Sequence, residues 1–370
     1  MTISFRRSDR NHLLSRREAL KGLAATGLVF ATITTISRPS RAADDLLVMD
    51  FAGYEIPELH QAYIKKYGGS PPVSLYADGD EAFTKVRGGF KADLVHPGSF
   101  DAPRFHDAGL LKPWDTSRLS NWPDVISSLA STPGAVIDGK QWMIPCDWGV
   151  DSILYRSDKV DVSEESWSLL WDKKYAGKLA YGTELYPAIA GAALALGIAH
   201  PFSATDDEFA RIRAKLAEQK SLLRLYWSDT TAFEQAIASG EAVAGAAWSS
   251  SYATLKSQGV PVKWMQPKEG TISWVSGFLW LKDAPGKEQN AYDYVDAWLS
   301  AETGKWLIEN YGYAHSNRKA FEGIDAEVLK SKGLGSDPEA IIAHSLMNTA
   351  MSEDLHARYA QMFEEVRAGF

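Results

Sequence analysis

The stretch that decides the fold is residues 46–76, which read LLVMDFAGYEIPELHQAYIKKYGGSPPVSLY. The short apolar run at 46–51 predicts a β-strand, and residues 56–66 carry apolar side chains at helical spacing. A second apolar run at 72–76 predicts another strand. A strand, a helix and a strand in this order are typical of an α/β architecture.

The same alternation continues along the chain. A helix is predicted at 81–90 and a strand at 92–97, and strands at 141–145 and 152–155 flank Trp148-Gly149. Further strands are predicted at 179–181, 242–248, 262–264 and 277–281, and further helices at 188–196, 207–218, 290–300 and 301–310. The chain has no internal repeat and no long Pro- or Gly-rich linker. Its length exceeds what one hydrophobic core usually supports, so we expect two lobes between which the chain crosses more than once.

The N-terminus has the pattern of an export signal. The run SRREALK at 15–21 is a twin-arginine arrangement, a mildly apolar run extends from residue 22 to about residue 36, and SRA at 40–42 suits a signal peptidase. We therefore predict a twin-arginine signal peptide at 1–42 and a periplasmic protein. An uncleaved anchor or a disordered basic tail are the alternatives. The single cysteine, Cys146, forms no intramolecular disulfide and is expected at a buried strand end.

The charge of the chain bears on its partners. The whole sequence has a net charge of −8, whereas residues 1–42 hold eight Lys or Arg and two acids, a net of +6, so the remainder carries −8 − 6 = −14. Nucleic acid is bound through clustered Lys and Arg, so a nucleic-acid partner is excluded. An acidic body fits a cationic ligand, although it is also an ordinary means of keeping a protein soluble.

Four segments in order resemble the polyamine-binding (spermidine/putrescine) branch of the periplasmic solute-binding proteins that serve ABC importers. They are MDFAGY at 49–54, ADLVHPGSF at 92–100, IPCDWG at 144–149 with the Trp-rich segment 167–177, and PKEG at 267–270 with Trp274, followed by YGY at 311–313 and Asn317. Each motif is short, but four in order with similar spacing form a specific pattern.

The resemblance implies an α/β, two-lobed type II periplasmic-binding-protein fold with hinge crossovers. Lobe one would comprise 43–148 and 280–335, lobe two 149–279, and the C-terminal helices at 336–370 would pack across the lobes. It also implies a monomer without a cofactor, which closes around a small amine in the interlobe cleft and delivers it to a membrane permease.

The resemblance also implies a ligand site. Five aromatic residues fall where the family places an aromatic box, with Ser99 as a hydrogen-bonding neighbour: Phe51, Tyr54, Trp248, Trp274 and Tyr313. Aromatic faces attract ammonium groups by about 0.5–2 kcal/mol each. Core packing is the alternative role for each of these rings.

The acids match the family less well. Glu184 falls near a family acid that contacts an amine, but a second such acid is Pro187 here, and an Asp of the family is Ser276. Asp147 and Asp151 at the crossover are possible replacements as amine anchors, as are Asp78 and Asp80 on the loop after the second predicted strand, with a solvated surface position as the alternative for each. The ligand is therefore expected to be spermidine, putrescine or a related amine, or else an amino acid derivative, a quaternary amine or a thiamine-like cation.

Two other functional classes have less support in the sequence. An enzyme has little support, because the sequence has no Gly-x-Ser-x-Gly elbow, no His-Glu-x-x-His motif and no phosphate-binding Gly-rich loop. A ferric-ion carrier would use tyrosines, and Tyr311 and Tyr313 favour that hypothesis. The two are separated by Gly312, however, whereas an adjacent pair is expected in such carriers, so no metal ligand is predicted.

Overall fold

The computed structural model describes residues 45–332, 334 and 337–369. The predicted signal peptide at 1–42 lies outside the described residues. The described strands are β1 Val48–Phe51, β2 Val73–Tyr76, β3 Leu94–Val95, β4 Val136–Ile137, β5 Lys140–Gln141, β6 Met143–Arg156, β7 Leu179–Gly182, β8 Leu223–Trp227, β9 Ala244–Trp248, β10 Val262–Trp264, β11 Thr271–Trp280, β12 Ala314–His315 and β13 Ser345–Met347. The described helices are α1 Gln61–Tyr67, α2 Gly79–Arg87, α3 Ala102–Asp107, α4 Ser127–Ala130, α5 Leu185–Leu196, α6 Asp206–Lys220, α7 Thr230–Ser239, α8 Ser249–Ser257, α9 Glu288–Trp298, α10 Ala301–Tyr311, α11 Ala326–Ser331, α12 Pro338–Ala343 and α13 Glu353–Ala368.

Side-chain caps explain where several helices begin. The Asp78 carboxylate accepts a hydrogen bond from the Glu81 amide, so α2 begins at Gly79, two residues before the predicted start. Thr205 and Glu208 form a reciprocal capping box at the start of α6. These polar residues satisfy amide groups that the first helical turn leaves without partners.

One curled sheet runs through the molecule in the order β2-β1-β3-β11-β6-β9-β7-β8. The pairs of β1 with β2 and β3 are parallel, as are those of β7 with β8 and β9. The central strands β11 and β6 are antiparallel to each other and to their outer neighbours β3 and β9. Two parallel α/β portions are therefore joined through an antiparallel centre.

The hydrophobic core is divided along the central strands. Residues of β6 up to Val150 pack with β1, β3 and α9, whereas Ile153 and Tyr155 of the same strand pack with α5 and α6. On β11, Ile272 belongs to the second core and the segment from Val275 onward belongs to the first. Both strands thus cross from one core to the other, as hinge crossovers require.

The prediction of two strands flanking Trp148-Gly149 was wrong, because β6 is continuous from Met143 to Arg156. The backbone of β11 pairs with β6 from Asp151 to Met143, so Trp148 and Gly149 also have strand partners. A register shift between Ser276 and Gly277 interrupts this ladder. A methyl group on Gly277 would lie 2.2 Å from the Ile144 carbonyl oxygen, so only glycine allows this close approach.

The last helix, α13, packs on α5 and α6 through Leu355, Tyr359, Met362, Phe363 and Val366, which join the second core. Cys146 is fully buried, and burial raises the pKa of its thiol well above the ordinary value. In the part of the chain that the structure describes, no helix combines the length and apolar character needed to cross a bilayer.

Candidate ligand-binding site

Four of the predicted aromatic residues form a continuous row of ring contacts with Tyr311. The ring of Phe51 lies 6.4 Å from that of Tyr54, and Tyr54 lies 6.0 Å from Tyr311. Tyr311 is 6.3 Å from Tyr313, which meets Trp274 edge-on at 5.1 Å. This aromatic row joins the end of β1 to the middle of β11 through the last residue of α10 and the segment after it.

The fifth predicted aromatic residue, Trp248, lines a recess beside the row. It stands at the end of β9, with its ring perpendicular to that of Trp227 at 5.3 Å. The recess encloses about 20 Å³. It is lined by Asp151, Tyr181, Gly182, Glu184, Pro187, Ala188, Trp227, Ala246, Ala247 and Trp248.

The row and the recess meet at Asp151. The Trp274 indole Nε1 donates a hydrogen bond to Asp151 Oδ1 at 3.2 Å, and Asp151 pairs directly with Trp248 across β6 and β9. Trp274 lies over Gly149, where a methyl group would be 2.5 Å from the indole ring. The absence of a side chain at Gly149 therefore allows the indole to reach Asp151.

The two carboxylates of the recess lack partner cations among the described residues. Asp151 is 2% exposed, and its Oδ2 has no hydrogen-bond partner in the described part of the chain. Burial, followed by the nearby charge of Glu184, raises the pKa of Asp151 well above its usual value. Glu184 remains accessible to water, but partial removal of its hydration and the charge of Asp78 raise its pKa to about 7. Both shifts favour the neutral carboxyls while the recess is empty, and a cation bound there would favour the charged carboxylates.

Asp147, the other predicted anchor, is already bonded within the protein. Its Oδ2 accepts a hydrogen bond from the Tyr54 hydroxyl at 2.8 Å, and its Oδ1 lies 3.0 Å from His96 Nε2. The opposite ring nitrogen of His96 lies 3.0 Å from Asp50 Oδ1. His96 and Asp50 were not predicted as site residues, because nothing local indicates that β1, β3 and β6 bring them together.

The remaining predicted positions lie near the site in different ways. Ser99 is fully buried; its amide bonds to the Val275 carbonyl, and its hydroxyl has no partner among the described residues. Ser276 is partly exposed, and its backbone faces Asp147 across β6 and β11. Pro187 lines the recess. Tyr181 and Trp227 of the recess were missed, because both lie in apolar strands that indicate only a core.

Two crossing strands, a divided core and an acidic recess with aromatic walls define a class of protein, the two-lobed solute-binding proteins. The family described as bacterial extracellular solute-binding protein matches residues 58–334, and the chain belongs to this family. The predicted family resemblance and the two-lobed α/β fold are confirmed. Because this family consists of non-enzymatic binding proteins, the prediction that the chain is not an enzyme is confirmed as well.

Individual relatives narrow the comparison. The chain is 25% identical over 334 residues to the spermidine/putrescine-binding periplasmic protein of Salmonella typhimurium, covering 88% of this chain and 92% of that protein. Its fold is similar to that of a putative spermidine/putrescine ABC transporter from Listeria monocytogenes, with a TM-score of 0.77, 18% identity and coverage of 87% and 98%. A binding protein of A. tumefaciens B6 in complex with glucopine has a TM-score of 0.69, 21% identity and coverage of 87% and 99%. Proteins of this fold thus hold different ligands.

Proposed function

We propose that this chain is the periplasmic component of an ABC importer and binds a small amine of the spermidine/putrescine class between two lobes. Lobe one comprises 43–148 and 280–335, lobe two comprises 149–279, and residues 336–370 add the C-terminal helices. The protein reaches the periplasm through its twin-arginine signal, acts as a monomer, and delivers its ligand to a membrane permease. Relatives named as periplasmic spermidine/putrescine-binding proteins support this role.

The observation that carries the proposal is the pair of acids in the recess. Asp151 has a buried oxygen without a partner, and neither Asp151 nor Glu184 forms an ion pair within the described residues. A desolvated carboxylate is costly unless a cation or donors satisfy it. Trp248 and Trp227 supply aromatic faces at the same place. An ammonium group satisfies both requirements.

The size of the recess favours a primary ammonium group. A space of about 20 Å³ accommodates one water-sized group. An NH₃⁺ terminus fits such a space and brings three donors for Asp151 and Glu184. The methylene chain of the ligand then runs along the aromatic row towards Tyr313 and Tyr54.

The related family has acids at the positions of Ser276 and Pro187. In this chain, the carboxylates around the recess supply the charge that is absent there. Asp151 serves as the amine anchor together with Glu184. Asp147 lies behind Tyr54 and accepts the hydrogen bond of its hydroxyl group. Phe51, Trp248, Trp274 and Tyr313 provide the aromatic faces, with Ser99 and Ser276 as polar neighbours near the strand crossing.

A ferric-ion carrier has less support from the hydrogen bonds of its candidate tyrosines. The Tyr313 hydroxyl accepts a hydrogen bond from the Ser250 hydroxyl at 3.3 Å. The Tyr311 hydroxyl donates to the Gly53 carbonyl at 2.6 Å and is thereby engaged. A second amine-containing ligand class, such as an amino acid derivative, keeps the same anchor and remains the alternative, in line with the different ligands of this fold.

The test is titration calorimetry and thermal shift of the purified protein with putrescine, spermidine, γ-aminobutyrate, a quaternary amine and thiamine. We expect binding of putrescine or spermidine, with a melting temperature that rises with ligand concentration. Asp151→Asn should weaken binding at least about tenfold, because a charged hydrogen bond is lost, and Trp248→Ala or Trp274→Ala should abolish the shift.

Trp142→Ala is the matched control, since Trp142 is a partly buried tryptophan whose Nε1 bonds to the Ile137 carbonyl away from the recess. It should leave affinity unchanged. Unaltered affinity in Asp151→Asn would contradict the assignment of the anchor, and binding of γ-aminobutyrate but not of diamines would favour the alternative.

A further inference from the structure

A group of three charged side chains lies buried behind Tyr54. His96 stands between Asp50 and Asp147, with 3.0 Å from each ring nitrogen to a carboxylate oxygen. The three side chains are 0–1% exposed. They come from β1, from the loop after β3 and from β6, so they tie together the strand that carries Phe51 and the strand that crosses between the cores. We call these residues the buried triad.

The contacts of the buried triad fix its protonation. Burial raises the pKa of Asp50, but while both carboxyls are ionised they only accept hydrogen bonds, so the imidazole between them donates from both nitrogens and is an imidazolium. Burial opposes this charge, but Asp50 and Asp147 outweigh it and raise the pKa of His96 to about 10. The other neighbours of the ring are aromatic: Phe278 stacks on it at 4.3 Å, and Trp298 and Tyr54 contact it edge-on. Asp50 and Asp147 are therefore the two charged groups that face it among the described residues.

The buried triad determines the direction of the Tyr54 hydrogen bond. Asp147 is an acceptor, so the single hydroxyl hydrogen of Tyr54 points to Asp147 Oδ2, 2.8 Å away. The ring of Tyr54 is held by parallel stacking on Trp298 at 5.7 Å, with an interplanar angle of 8°. Tyr54 is nevertheless partly exposed. Its oxygen has only lone pairs left for a ligand.

We propose that His96 is a positioning residue that keeps Asp147 an acceptor and thereby makes the Tyr54 hydroxyl oxygen an acceptor towards the ligand, so that this end of the site selects ammonium groups over carboxylates. The inference rests on the proposed function in one respect, the contact of Tyr54 with the ligand. The buried triad adds a net charge of −1 behind the same tyrosine, which favours cations further.

Asp147→Asn tests the direction of the hydrogen bond with almost no change in shape. The amide oxygen of Asn would accept from His96, and its NH₂ group would donate to Tyr54, whose hydroxyl hydrogen would then turn towards the ligand. We expect the affinity for putrescine, measured by calorimetry, to fall about tenfold or more. In a Tyr54→Phe background no hydroxyl can turn, so the same substitution should change affinity less than about threefold.

Asp293→Asn is the matched control, because Asp293 accepts a hydrogen bond from Tyr67 at the surface and thus has the same kind of partner. It should leave affinity unchanged. An equal loss from Asp147→Asn with and without the Tyr54 hydroxyl would mean that the charge of Asp147 acts through space, and the proposed positioning role would be overturned. No loss at all would overturn it too.

A ligand-free measurement separates this inference from the proposed function. In ¹⁵N-histidine-labelled protein at pH 8, His96 should show two hydrogen-bonded ring N–H signals, which His96→Gln removes. A single N–H signal overturns the positioning role whatever the ligand, and this test does not depend on the folding of Asp147→Asn. Two N–H signals in a protein that binds neither putrescine nor spermidine would preserve the buried triad but refute both the amine function and the selection of ammonium groups.

Discussion

At the scale of single residues, Asp147 and Asp151 show how neighbours decide the use of a carboxylate. They lie four residues apart on β6, and both are buried. Asp147 has both oxygens engaged by Tyr54 and His96, whereas Asp151 keeps Oδ2 without a partner in the described residues. Asp151 is thus the acid with capacity for a ligand, although the sequence offers both equally.

Amine binding should depend on pH through Glu184. Partial removal of its hydration, followed by the charge of Asp78, raises the pKa of this accessible carboxyl to about 7, so it is charged at pH 8 and mostly neutral at pH 5.5. A cation binds the charged form better, so affinity should fall about tenfold as pH is lowered over this range. Calorimetry with putrescine at a series of pH values measures this change in affinity. Glu184→Gln should flatten this part of the profile and bind weakly throughout; an unchanged profile would show that another group titrates.

Gly149→Ala should displace Trp274. The added methyl group would lie 2.5 Å from the indole ring, so the ring must move and its hydrogen bond to Asp151 must lengthen. We expect putrescine affinity to fall several-fold and unfolding free energy to drop by about 1–3 kcal/mol, measured by calorimetry and by denaturant titration. In a Trp274→Ala background the added methyl group has room, so Gly149→Ala should lower affinity and unfolding free energy only slightly. An equal loss in that background would mean that the strain lies in the backbone.

At the scale of elements, one contact links the loop after β3 to the start of α5. The Phe100 and Tyr186 rings lie 4.1 Å apart. Nearby, Arg104 forms ion pairs with Asp80 and Asp101, and His356 of α13 is 3.8 Å from Asp80. Phe100 and Tyr186 belong to the two proposed lobes, so this contact stabilises the arrangement in which those lobes meet.

Tyr186→Ala should therefore accelerate ligand release. An aromatic pair contributes about 0.5–1.5 kcal/mol, which corresponds to about a two- to tenfold increase in the dissociation rate. Stopped-flow chase of bound putrescine measures this rate. Tyr252→Ala is the matched control, because Tyr252 packs on Trp264 within one proposed lobe. An equal effect of both substitutions would indicate general destabilisation rather than loss of the interlobe contact.

At the scale of the whole molecule, the buried triad joins three strands by charge as well as by packing. The folded state raises the pKa of His96 from 6.5 to about 10. A group whose pKa is raised by folding contributes its full stability below the unfolded value and loses it as pH rises through the folded value. Each pKa unit corresponds to about 1.4 kcal/mol.

The free energy of unfolding should consequently fall between about pH 6.5 and pH 10. Urea titrations at pH 7, 8.5 and 10 measure this decline, and His96→Gln should remove the part of it that belongs to the imidazolium. That variant should also be less stable at pH 7, because two buried carboxylates lose their counter-charge. A parallel decline in wild type and His96→Gln would assign the pH dependence to other groups.

Much of the fold was predictable because its signals are local. The strand at Val262–Trp264 was predicted with its observed bounds, and the predicted helices at 188–196 and 207–218 lie within α5 and α6. Burial of Cys146 followed from its apolar neighbours. The interruption predicted at Trp148-Gly149 failed because the long-range partner β11, and not local propensity, keeps β6 continuous there.

By itself, the sequence determined the α/β class, the family through four ordered motifs, and the aromatic and acidic residue types expected around an amine. Only the tertiary structure decided which of these residues meet. Asp50, His96 and Asp147 are up to 97 residues apart in the chain, yet they hydrogen-bond because the ends of β1 and β3 lie against the first half of β6. Likewise, pairing of β6 with β9 and β11 brings Asp151 to Trp248 and Trp274. Side-chain type is written in the sequence, but proximity and the resulting charge balance arise from strand pairing, which depends on the whole chain.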